Sequence, residues 1–356
     1  MTDAAPADRR LTMAAGGWVI LVTAALCAAL LVWAFAGIIV GHRPKGGSTI
    51  ESYGFDLSRT TVPTSELTPT GETRDFLRAL DVAAAMPASE MLEFNRTHRK
   101  RYVVSDDRVI VVTVGEETRA YPISVVEAHE IVHDTLGGVP IAVTYSPFCD
   151  AVSVFDRRFG DSTLHFGVSG IVRDANTVLY SVAADGRESL WQQLDGRALS
   201  GDAAAGNATL TRIPAVFITT WADYLGAFPN GSVMVRDEKN VRLYQNISYE
   251  RAHESPTIEF PVRNVPPQGP NGLTPKSPIL VLQRGDARRA VAIETLRARG
   301  TERTTVDLGD GRAPVTIVLP KRPGTARVLT DDVTVLPTFW FAAHSLLGID
   351  DVVTTD

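Results

Sequence analysis

Five consecutive residues, His129-Glu130-Ile131-Val132-His133, carry the spacing HExxH. On a helix, residues four apart share a face. His129 and His133 would then grip one zinc ion while Glu130 polarises its bound water. A catalytic zinc needs a third protein ligand, and the extended form of the pattern fails. Leu136 stands where that form has glycine, and Val139 where it has the third histidine. The plainer reading packs His129 inside the fold and leaves His133 at a helix C-terminus, where the dipole favours it.

A second cluster is Tyr145-Ser146-Pro147-Phe148-Cys149-Asp150. A lone cysteine at the end of a strand can act as a nucleophile or metal ligand if its thiolate is stabilised, and a nearby histidine would do that. The same cysteine is equally readable as a small apolar filler. A third cluster joins His165 to the turn Gly167-Val168-Ser169-Gly170, whose glycines would let backbone amides approach a ligand. A fourth, 185–193, sets Trp191 beside Gln192 and Gln193; Trp191 would stack on a ligand or fill the core. The candidate catalytic residues are therefore Cys149, His129 and Glu130. The candidate ligand-binding residues are Tyr145, Ser146, Asp150, Ser169, Trp191 and Gln193. The candidate metal ligands are His129, His133, Cys149 and His165, and a metal ion is the one cofactor these residues suggest.

The elements that must position these residues are mostly short strands. Residues 108–121 read as a β-hairpin turning at Gly115. Pro122 ends it and opens a helix over 124–134, with Ser124 as its N-cap. Gly137-Gly138 closes that segment. Strands follow over 139–145, 152–157, 162–168 and 177–182, separated by turn signals such as Phe159-Gly160-Asp161. Strands at this spacing predict a mainly antiparallel sheet fold, an α+β fold with few short helices. The end of the chain echoes the middle. The run 109–125 (VIVVTVGEETRAYPISV) matches the pattern of 279–295 (ILVLQRGDARRAVAIET), and Pro214, Trp221 and Leu225-Gly226 correspond in order to Pro337, His344 and Leu347-Gly348. Two echoes in the same order point to an internal duplication. The expected organisation is a short tail (1–13), a transmembrane helix (14–40), a linker and domain entry (41–73), a β-rich main domain (74–260) and a smaller C-terminal subdomain (261–356).

Residues 14–40 contain no charged side chain. About 20 apolar residues suffice to span a bilayer as a helix, so this run predicts a single-pass anchor in the lipid bilayer. Arg9 and Arg10 precede it, and Arg43 and Lys45 follow it. The count of basic residues is therefore even and leaves orientation undecided. The short tail before a large domain favours a cell-membrane protein with its main domain on the extracytoplasmic side. A cleaved signal peptide ending near Ala34-Phe35-Ala36 is the alternative, and it exports the domain equally.

The formal net charge is -6, from 35 basic and 41 acidic residues. Four basic and two acidic residues precede position 46, which leaves 31 and 39 in the rest, a net -8. A body that acidic, without a basic run, excludes nucleic acid as a partner. There are two cysteines, Cys27 in the apolar run and Cys149 in the body. No disulfide between them is expected, and stability must come from the core.

These segments together resemble the bacterial and archaeal family catalogued as domain of unknown function 3179. The resemblance rests on ordered blocks that include 115–122 (GEETRAYP), 129–139 (HEIVHDTLGGV), 144–150 (TYSPFCD), 166–170 (FGVSG) and 188–193 (ESLWQQ), and covers residues 52 to about 237. It implies a shared fold unit and no assigned activity. It also implies asparagine in place of His133 and a cysteine in place of Ser146 among relatives, which weighs against the zinc pair. The leading expectation is a membrane-tethered extracytoplasmic domain that binds a small ligand or metal ion near His129 and Cys149. The alternatives are a thiol- or zinc-dependent enzyme and a structural accessory subunit of an envelope complex.

Overall fold

The computed structural model describes residues 17–39, 45–81, 84–98, 101–214, 216–269, 272–330 and 332–353. The expected tail 1–13 and the ends of the expected span 14–40 lie outside them. The chain divides into two units, Met1–Lys45 and Gly46–Asp356.

In the first unit, Gly17–Ile39 is a helix of 23 residues without a charged side chain. Trp18, Leu21, Leu26 and Leu30 are exposed on it. Among the described residues no helix is long and apolar enough to cross a membrane. In this helix the side chains of Ile20 and of 33–39 lie outside the described set.

The second unit is mainly β, built of several largely antiparallel sheets. The predicted hairpin forms as Arg108–Val114 and Glu117–Pro122, with Val111 opposite Ala120. It sits in a five-stranded sheet between Phe217–Thr220, antiparallel, and Ser232–Met234, parallel. The echoing segment builds a sheet of the same order and sense. Pro278–Arg284 pairs antiparallel with Ala287–Val291 and with Thr334–Phe339, and Val352–Val353 joins in parallel. In both sheets the outer antiparallel strand runs straight into a helix, Trp221–Ala227 or Trp340–Leu347. One apolar cluster joins Cys149, Ala151 and Leu194 to Leu273, Ile279 and Trp340.

The predicted helix over 124–134 is corrected. Helix is confined to Ile123–Val126, and Ile131–Leu136 is a strand, antiparallel to Val139–Ser146 and parallel to Leu80–Asp81. The break falls at Glu130, whose φ of +55° is left-handed. Beyond it, β-branched residues suit a strand, and Gly137-Gly138, both at positive φ, make the two-residue turn that matches the strand twist. The predicted turn 167–170 is also corrected. These residues lie within the strand His165–Arg173, which carries a bulge between Val168 and Ile171. The turn comes later, at Asp174 and Ala175, both at positive φ.

Candidate functional site

Glu130 is the residue whose position matters most. The helix-to-strand break places it 3% exposed. Its carbonyl accepts the Tyr145 amide, which fixes it to the neighbouring strand. Its Oε2 lies 3.2 Å from Thr177 Oγ1, and among the described residues its Oε1 has no hydrogen-bond partner. Burial pushes the Glu130 carboxyl up to about 8, against a small opposing pull from Thr177. At neutral pH it is a neutral acid, able to donate and accept a hydrogen bond.

Thr177 Oγ1 also lies 3.2 Å from Ser146 Oγ, and the Thr177 amide donates to that same Ser146 oxygen at 2.9 Å. Thr177 has one hydroxyl proton for two acceptors. It goes to Glu130 Oε2, and the Ser146 hydroxyl carries its own proton for the contact with Thr177. Ser146 in turn interacts with the Cys149 thiol, whose S–H donates to the Ala175 carbonyl at 3.1 Å.

Glu130 forms part of the wall of a cavity of about 210 Å³. Phe76, Phe148, Tyr249 and Phe260 supply aromatic walls, with Thr177 and Glu72. Phe148 packs at right angles against Tyr249 (centroids 5.4 Å apart) and Phe260 (4.8 Å). The segment carrying Tyr249 is fastened nearby. His253 Nε2 donates to the Pro147 carbonyl at 2.6 Å, and Lys276 Nζ donates to the Ala252 carbonyl at 2.6 Å.

On the other side of the same segment lies a second cavity of about 290 Å³, bordered by Arg108, Glu127, Tyr145 and His253. Burial pushes the Glu127 carboxyl up to about 7. The polar groups here serve one another. Asp150 accepts from Arg108 Nη2 at 2.6 Å and from the Tyr145 hydroxyl at 2.7 Å.

The histidine pair expected to share a metal does not share a helix face. His129 Nδ1 donates to the Arg78 carbonyl (2.7 Å) and Nε2 accepts from the Tyr244 hydroxyl (3.0 Å). Burial pulls its pKa down. His133 points to a different group. With His165 and Asp81 it brings three possible ligand atoms within 4.8 Å of one another, a His/Asp group that could hold a metal ion. Its hydrogen bonding sets a condition on that. His133 Nε2 accepts the Phe166 amide at 3.1 Å, so its proton is on Nδ1, given to Asp81 Oδ1 at 2.8 Å. Burial pulls the His133 pKa down to about 4, so this ring is neutral near pH 7. A metal ion at Nδ1 would have to expel that proton while Nε2 still faces an amide donor. As bonded, the group is a carboxylate capped by two imidazoles, since His165 Nε2 also lies 2.8 Å from Asp81 Oδ1.

Cys149 is fully buried and lies in an apolar cluster. Burial drives its thiol far above the ordinary range, so the thiolate needed for nucleophilic attack does not form near pH 7. No hydrogen bond or ring contact joins it to His129 among the described residues. Three further candidates are engaged in packing. Ser169 bridges its own bulge, donating to the Val178 carbonyl and accepting from the Ile171 amide. Trp191 Nε1 donates to Ser181. Gln193 donates to Thr144 and Ala151 and accepts from Asn176.

Asp81, Glu72, Phe76, Phe148, Thr177, Tyr249 and Phe260 were not singled out from the sequence. Glu72, Phe76, Tyr249 and Phe260 come from segments without periodicity, and no linear signal joins them to Glu130. Phe148 lies inside the block 144–150, next to the cysteine that draws attention. Among curated proteins and among solved structures, no match to this chain is found. A family model does match, over residues 84–345, and it includes the hairpin sheet and its C-terminal echo except for the final strand Val352–Val353. The chain belongs to the family described as "Protein of unknown function (DUF3179)".

Proposed function

We propose that this protein is a membrane-tethered, extracytoplasmic domain that binds a small ligand in the cavity between Glu130 and Phe148, the sequence neighbours of His129 and Cys149. One observation carries the reading. A carboxyl 3% exposed is set at the wall of an aromatic cavity with one hydrogen bond and one free oxygen. A buried polar group without its full set of partners costs stability, and a ligand that completes the set offsets that cost. Apolar walls with a few convergent polar groups are the usual make-up of a small-molecule site. The thiol-enzyme reading loses its support with the raised pKa of Cys149. The zinc-protease reading loses its support with the missing helix.

The test is a thermal-shift panel on the intact chain in detergent, covering small amines, carboxylic acids and neutral alcohols. At least one class should raise the unfolding temperature saturably, by roughly 2 °C or more at high excess. Glu130→Ala should remove that shift. No saturable shift from any class, or an equal shift in the variant, would reject the site.

The tether rests on the uncharged 23-residue helix Gly17–Ile39. The full chain should stay in the membrane pellet through alkaline carbonate extraction, while a chain lacking residues 1–45 should not. Protease added outside intact cells should digest the body. Release of the full chain by carbonate would refute the tether, and a body protected from external protease would refute the orientation.

A further inference from the structure

We propose that the Glu130 cavity selects a small organic cation, an alkylammonium or quaternary ammonium group. This inference deepens the ligand-binding reading and rests on it.

Charge is the first ground. Among the described residues lining the cavity there are two carboxyl groups, Glu72 and Glu130, and no lysine, arginine or histidine. An anionic ligand would find no cationic partner among these residues. A neutral ligand would use the acid as a hydrogen-bond partner but leave the aromatic walls as plain apolar surface. A cation uses both, because ring faces are negative and attract an ammonium group most strongly where water is excluded. Ring geometry is the second ground. Phe148 stands at 86° to Tyr249 and 81° to Phe260, so the ring planes meet as the corner of a box. Size is the third. At about 210 Å³ the cavity is smaller than those that take drug-sized ligands, and suits a head group.

Burial holds Glu130 neutral, and this gives the proposal a signature. A cation entering beside Oε1 favours the ionised carboxylate, so binding expels the Glu130 proton to solvent. Facing Glu130 are Thr177 from its strand, Tyr249 from the segment that His253 and Lys276 fasten, Glu72 from the segment before Asp75, and Cys149 through Ser146. Tyr249 and Cys149 keep their protons near pH 7, since burial raises both. Glu130 is therefore the group that releases one.

The probes are choline, its neutral isostere 3,3-dimethylbutan-1-ol, and butyrate, titrated calorimetrically into the intact chain in detergent. Choline should bind saturably, at least tenfold tighter than the alcohol, with no binding of butyrate. Near pH 7 it should release close to one proton per site, read from two buffers of different ionisation enthalpy. Its affinity should fall about tenfold per pH unit below pH 8. Glu130→Gln should weaken choline at least tenfold and abolish proton release. Phe260→Leu, which leaves the carboxyl in place, should weaken choline several-fold and keep the release. If the alcohol or butyrate binds as tightly as choline, and Phe260→Leu weakens it, the cation inference is overturned while the cavity reading stands. If neither these probes nor the wider panel binds, both fall.

Discussion

Replacing Glu130 by Gln should stabilise the protein at pH 8 and leave it unchanged at about pH 3. In the unfolded chain a glutamate titrates near 4.3. In the folded chain burial pushes Glu130 up to about 8. Between these values the folded state holds a proton that the unfolded state has lost. Stability therefore falls as pH rises through this window, by about 1.4 kcal/mol per pH unit. Below about pH 3 both states are protonated and the penalty is absent; above 8 both are ionised and it is constant. Glutamine keeps the shape and the hydrogen bond with Thr177 but carries no ionisation. The stability difference, variant minus wild type, should open from near zero at about pH 3 to about 2–5 kcal/mol at pH 8. Glu127, also raised by burial, titrates in both proteins and cancels in the difference. Urea unfolding read by the fluorescence of the buried Trp191, Trp221 and Trp340 measures it. Parallel pH curves for the two proteins would show that Glu130 is not held neutral.

Arg108→Ala should cost about 3–5 kcal/mol, the range for removing one partner of a buried ion pair. The Arg108 and Asp150 side chains are 17% and 8% exposed and meet at 2.6 Å. Arg108 also donates to the Gly324 carbonyl, tying the first hairpin to the C-terminal part. Without the guanidinium, Asp150 keeps the Tyr145 hydroxyl alone for a buried negative charge. Asp150 itself sits at φ +47° at the end of the Pro147–Cys149 turn. A loosened Asp150 would therefore shift Phe148 in the cavity wall as well. Arg108→Met with Asp150→Asn removes both charges and should recover most of the loss. A loss below about 1 kcal/mol for Arg108→Ala would mean that water already screens the pair.

The hairpin 108–121 and the strands that follow were legible in the sequence because a local signal marks each boundary. Gly115 turns the first hairpin, and period-two apolar runs end at glycine or proline. The strand Ile131–Leu136 was not legible as a strand. Its apolar residues, read with Val125, Val126 and Ala128, also satisfy a helical repeat, and HExxH reinforced that reading. What decides it is non-local pairing with Val139–Ser146 and Leu80–Asp81. The local hints were β-branching and Gly137-Gly138. Cys149 was legible as a notable residue, but its inertness depends on burial among Ala175, Leu194 and Trp340, which lie far along the chain. Glu130 was legible as a candidate acid or base. Its neutrality was not, because desolvation comes from Tyr249 and Phe260, more than a hundred residues away, in a segment without regular pattern.

The most direct measurement of the central claim is the Glu130 carboxyl carbon itself, followed by NMR from pH 4 to 10 on the intact chain with and without the compounds that raise its unfolding temperature. A buried acid at the wall of a ligand site should titrate with a midpoint near 8 when empty, and both its shift and its midpoint should move when a ligand enters. A midpoint between 4 and 5, or a resonance that no such compound displaces, would contradict the account.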